Sequence, residues 1–169
     1  MPLLNKLILA GIVISSLLIF FQDLREKQIS FWVLRVFSAF ILLESFIQTS
    51  DKGEAILINL VFCLLQFSLV TIYFSIKKRR FVKIYQAALN WGDIWVILSL
   101  AFAFYWVNYV YFLAYSYLII AVLFILARAF LKRTSKKIPV AGMLCFIYAV
   151  VKIIFFLRNV STFNGEIFS

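Results

Sequence analysis

The chain has 169 residues, 65% hydrophobic and 14% charged, with a formal net charge of +10 and no histidine. Soluble domains are about half apolar and about a quarter charged, so a mean hydropathy of +1.04 excludes one. It points instead to an integral membrane protein with room for several helices of roughly 20 residues. The missing histidine excludes Ser-His and Cys-His nucleophiles, imidazole metal ligands and imidazole proton shuttles.

The sequence predicts a single all-α integral membrane domain over 1–169, with six transmembrane helices near 3–22, 31–48, 55–76, 93–107, 109–131 and 139–157. A polar C-terminal tail is expected at 158–169. The first run, Leu3 to Phe21, is too long for a secretory signal core and lacks a small-x-small cleavage site, so a retained helix is expected. It ends at Gln22-Asp23, and a short polar connection leads to Ser30. The second run, Phe31 to Ile47, is closed by turn residues from Gln48 to Glu54. The third, Ala55 to Ile76, stops at Lys77-Lys78-Arg79-Arg80. The stretch 81–89 is mildly amphipathic and suits the headgroup region.

Asp93 opens the fourth run, which is short for a span. Tyr105, Trp106, Tyr109 and Tyr111 around Asn108 predict a tight hairpin inside an interfacial aromatic belt. The fifth run, Val110 to Leu131, is capped by Lys132, Arg133, Lys136 and Lys137. Ile138-Pro139 opens the sixth, where proline suits the first helical turn. Cys63 and Cys145 lie inside apolar runs without CxxC spacing, and read as small buried side chains rather than a disulfide or zinc site.

Six helices place three connections on one side of the bilayer. These carry Arg25, Lys27, Lys77, Lys78, Arg79, Arg80, Lys83, Lys132, Arg133, Lys136 and Lys137. The positive-inside rule therefore puts these loops in the cytoplasm and both termini outside. Clustering in loops reads as bilayer orientation and attraction to anionic lipid, with no nucleic-acid partner. There are seven acids. Asp51, Glu54 and Glu166 fall in outer loops or the tail, Glu26 is solvated beside Arg25 and Lys27, and Glu44 can snorkel or pair locally. Asp23 and Asp93 remain, both at the cytoplasmic boundary.

Asp93 suits a helix N-terminus, where a carboxylate accepts orphan N–H bonds and meets the positive end of the dipole. Asp23 stands at a C-terminal end, where the dipole disfavours it unless something compensates. Two carboxylates in hydrogen-bond range share a proton. The ionised one can then take a proton from water while the protonated one polarises a peptide carbonyl, as in aspartic proteases. Gly92 beside Asp93 would let a substrate backbone approach closely. This chemistry needs no cofactor and no metal.

On these residues the chain resembles the type IV prepilin peptidase family, membrane aspartic proteases of the GxGD type. Asp23, six residues before Ile29, resembles the family's first aspartate ahead of Ile-Pro-Asn, with Ser30-Phe31 in place of Pro-Asn. Gly92-Asp93 resembles the end of GxGD, with Asn90 in place of the first glycine. Ile138-Pro139 resembles the signature that opens the last helix, with Gly142 where a second proline is usual. Trp95 stands where the family often has a lysine, and the cysteine-rich domain of the larger members is absent.

The resemblance implies a GxGD-protease-like bundle in a bacterial inner membrane, with Asp23 and Asp93 as the cytoplasm-facing dyad. Asn90, Gly92, Ile138 and Pro139 are its motif and substrate-side residues. The activity implied is endopeptidase cleavage of the basic leader of prepilin-like or pseudopilin-like substrates, usually after a glycine. The N-methylation of the larger members is not carried over. Two alternatives stay open: an inactive peptidase-like scaffold in a pilus or secretion assembly, and a proton-coupled carrier. A carrier would place its ionisable sites near the midplane, and no run here has an acid at its centre.

Overall fold

In hydrocarbon a backbone must satisfy its own polar groups, so long apolar runs with few glycines or prolines become helices. The computed structural model of the chain describes residues 2–26, 28–48, 53–79, 81, 89–130 and 139–158. They form α1 (Pro2–Glu26), α2 (Phe31–Gln48), α3 (Gly53–Lys78), α4 (Trp91–Leu100), α5 (Trp106–Phe130) and α6 (Val140–Leu157). No strand occurs among the described residues.

The all-α expectation holds, and the six expected spans become four. Leu3–Glu26, Gly53–Lys78, Trp106–Leu126 and Val140–Leu157 are long and apolar enough to cross a membrane. α4 has only ten residues, and the 18 residues of α2 include Arg35 and Glu44. Large apolar side chains such as Leu3, Phe46, Leu57, Leu64, Ile125 and Leu157 are exposed on the outside, as a lipid-facing surface requires.

α1 packs most extensively on α6 and next on α2. α4 lies against α2 and α6, while α3 meets α5 and α4. The core between them includes Ile12, Ile19, Phe37, Val96, Ile97, Leu144 and Tyr148. Gly11 is part of the reason α1 and α2 approach so closely, since a Cβ there would fall 2.4 Å from the Phe40 ring.

The hairpin expected at Asn108 lies earlier in the chain. α4 stops at Leu100, the turn covers 101–105, and Asn108 sits buried in the first turn of α5. The freed carbonyls explain why the break is tolerated at membrane depth. Asn59 of α3 donates its Nδ2 to the carbonyls of Ala101 at 2.8 Å and Phe104 at 3.0 Å. Tyr109, expected in an interfacial belt, points inward instead, and its hydroxyl donates to the Ile97 carbonyl at 2.9 Å. Cys63 Sγ lies 2.9 Å from the same hydroxyl, so this buried cysteine is part of the polar seal. Non-helical backbone survives at this depth only where protein satisfies it. Asn59→Leu is accordingly expected to destabilise the fold by about 1–3 kcal/mol for each carbonyl left without its donor, measured by unfolding in detergent. An unchanged midpoint would show that the turn does not depend on Asn59.

Glu44 does not pair locally. Its Oε1 accepts from Lys152 Nζ of α6 at 2.6 Å, with the two side chains 16% and 4% exposed. Lys152 is the charged residue within the apolar run 139–157. It extends past the Tyr148 ring, 5.8 Å from the centroid.

Candidate functional site

α1 continues one turn beyond Gln22, so Asp23 lies inside the helix rather than in the connection after it. The Gln22 side chain holds that connection by accepting the Ser30 backbone N–H at 3.0 Å. Asp23 is 4% exposed and its Oδ2 accepts the backbone N–H of Gly142 at 2.7 Å. The compensation that a carboxylate at a helix C-terminal end needs is thus the N-terminus of another helix.

Asp93 is 6% exposed in the first turn of α4. Its Oδ2 accepts the backbone N–H of Asn90 at 2.7 Å, the bond by which an acid three residues into a helix closes a capping box. Its Oδ1 accepts the backbone N–H of Ala141 at 2.8 Å. Asn90 itself is the N-cap residue, with φ −79° and ψ 162°. That gives the asparagine at this position a physical reason, since asparagine is among the best N-caps.

The two acids therefore converge on consecutive amides, Ala141 and Gly142, in the first turn of α6. Consecutive backbone nitrogens lie about 3 Å apart, so two bonds of this length hold the carboxyl groups within roughly 9 Å of each other. Burial disfavours a charge on Asp93, while the Asn90 and Ala141 N–H donors favour it. No ion pair reaches either carboxylate among the described residues; the pair there is Lys152–Glu44, elsewhere in the bundle. Asp23 Oδ1 accepts no hydrogen bond among the described residues.

Pro139 is the N-cap of α6 rather than its first helical residue, and its carbonyl accepts the Met143 N–H at 3.2 Å. Ile138 lies outside the described residues, as do 82–88 and the tail beyond Arg158. The space over Gly92, expected to admit a substrate backbone, is occupied by the chain itself. A Cβ on Gly92 would come 2.9 Å from Ile29 Cδ1, so this glycine seats α4 against the α1–α2 connection.

The donors on α6 were not evident from side-chain chemistry, because they are backbone groups. The signal that could have found them is the small pair Ala141-Gly142, one residue after Ile138-Pro139. A Cβ at Gly142 would meet Asp23 Cβ at 2.9 Å, Asp23 Oδ2 at 3.0 Å and the Phe20 backbone at 3.2 Å. Gly142→Ala should therefore cost about 1–3 kcal/mol of stability through overpacking. Thermal unfolding in detergent measures this, and an unshifted transition would mean α1 and α6 can part without cost.

No group of three or more His, Cys, Asp or Glu side chains that could hold a metal occurs among the described residues. Comparisons of the chain with protein-family models, with curated proteins and with solved structures find no match.

Proposed function

We propose that the chain is a membrane aspartic endopeptidase with Asp23 and Asp93 as its dyad. Its substrates are prepilin-like membrane proteins, cut after their basic leader at the cytoplasmic face of a bacterial inner membrane. The observation that carries this reading is the convergence of two acids, far apart in sequence, on the adjacent N–H groups of Ala141 and Gly142. The shared amide platform fixes both carboxyl groups. One carboxylate takes a proton from the attacking water, and the protonated partner donates to the scissile carbonyl. In this reading α2 and α4 complete a six-helix, GxGD-protease-like bundle with the four longer helices. The basic residues Arg25, Lys77, Lys78 and Arg79 mark the cytoplasmic side.

A second reading is favoured by the same hydrogen bonds. Each carboxylate caps a helix, Asp93 both α4 and α6, Asp23 α6 alone, and a cap needs no reaction. On that reading the chain is an inactive scaffold that binds prepilin-like partners without cutting them. Co-expression with prepilin-like proteins from the same cell, followed by mass measurement of their N-termini, separates the two. Removal of the leader supports the peptidase. Intact substrates that co-purify with the chain would leave only the scaffold.

A further inference from the structure

The short length of α4 leaves part of α2 uncovered. Phe31, Leu34, Arg35, Ser38, Ala39 and Leu42 form one helical stripe, spanning roughly 17 Å along the axis. With Trp95 of α4 they line a crevice of about 270 Å³. Its boundary end is closed by the edge-to-face contact of Phe31 with Trp95, ring centroids 6.4 Å apart. Its floor is tied by the hydrogen bond between Ser38 Oγ and Ser99 Oγ, 2.7 Å apart. One residue past Ser99 α4 ends, and the crevice opens along Ala39 and Leu42.

The chemistry along this crevice is graded. Arg35 lies one turn inside the boundary end of α2, with its guanidinium carbon 4.2 Å from the Phe31 ring centroid and 5.2 Å from that of Trp32. Both rings hold the cation toward the boundary, the direction in which helical side chains lean. The guanidinium has no acidic partner among the described residues. A cation at membrane depth is costly without an anion. Beyond it the crevice is lined by Leu34, Ala39 and Leu42.

We propose that this crevice is a binding site for an anionic phospholipid. The headgroup phosphate takes the guanidinium of Arg35, and one acyl chain runs along Leu34, Ala39 and Leu42. Charge complementarity selects the anionic class, because a zwitterionic headgroup brings its own cation to its phosphate. Planar, forked donors suit a phosphate better than a point charge would, and basic pockets between membrane helices recognise anionic headgroups. This site is independent of the peptidase reading, since none of its residues belongs to the aspartate pair.

Tryptophan quenching tests the proposal on the full chain with Trp91→Phe and Trp106→Phe, which leaves Trp32 and Trp95 beside Arg35 as reporters. The protein is reconstituted in phosphatidylcholine vesicles containing increasing fractions of chain-brominated phosphatidylglycerol, or of chain-brominated phosphatidylcholine as the comparison. Half-maximal quenching is expected at a clearly lower fraction of the brominated anionic lipid. Arg35→Gln, at an exposed position, should raise that fraction about fivefold, the effect of one basic group near the membrane surface. Ala39→Phe keeps the charge but fills the crevice, and should weaken the preference as well. Equal quenching by the two lipids, or superimposable curves for the parent and Arg35→Gln, would overturn the site. A preference that survives Ala39→Phe undiminished would also overturn it, by showing attraction to surface charge alone.

Discussion

Asp23→Asn and Asp93→Asn are each expected to slow leader cleavage by about 10²–10⁴-fold, the range of positioned acid-base groups, while leaving the bundle folded. In Asp23→Asn the amide oxygen can still accept the Gly142 N–H, so the cap survives where the proton chemistry does not; in Asp93→Asn the single amide oxygen keeps only one of the Asn90 and Ala141 bonds. The two effects should not add. Residues that act as one unit fail together, and the double variant is expected to be about as slow as either single one. The wild-type rate should fall at both low and high pH, because the mechanism requires one proton on the pair. Single-turnover cleavage measured across pH checks all three outcomes. A wild-type rate in either single variant would assign both acids to capping alone.

Lys152→Met is expected to destabilise the protein by about 3–5 kcal/mol, because it takes the cation from the half-buried carboxylate of Glu44. The pair is 2.6 Å apart and bridges α2 and α6 well away from the aspartates. Its loss should therefore appear first in stability. Replacing both members, as Glu44→Gln with Lys152→Met, removes the unpaired charge and should recover most of that loss. Unfolding of the two single variants and the double variant, treated as a cycle, measures the coupling. If Lys152→Met alone unfolds at the parent's midpoint, the ion pair contributes nothing to the fold.

Helix positions were largely legible because hydropathy is a strong signal in a chain this apolar. The helical class and the ends of α2, α3 and α6 follow from charges and turn residues flanking apolar runs. The number of spans was not legible, because run length alone does not reveal the break after Leu100. That break depends on Asn59 and Tyr109 from other elements, and no local pattern encodes their reach. The aromatic cluster around Asn108 misled for a related reason: tyrosine suits an interface, but it also suits a buried site with an acceptor, and Ile97 supplies one.

At the site, Asp23 and Asp93 could be named from their rarity and their placement at one boundary. What joins them could not, because the bridge is main chain. Gly142 carries that information only once α1 is known to lie against α6, where its lack of a side chain admits Asp23. Asn90 follows the same logic in reverse. As a departure from a motif it was unexplained, and as the N-cap of α4 it is a favourable residue.

The most direct test of the central claim is cleavage of a purified prepilin-like protein by the reconstituted chain, run beside its Asp93→Asn variant. The account predicts one cut, at the end of the basic leader, made by the parent and lost in the variant although the substrate still binds. A substrate that stays intact with both proteins, or the same cut made by both, would contradict it.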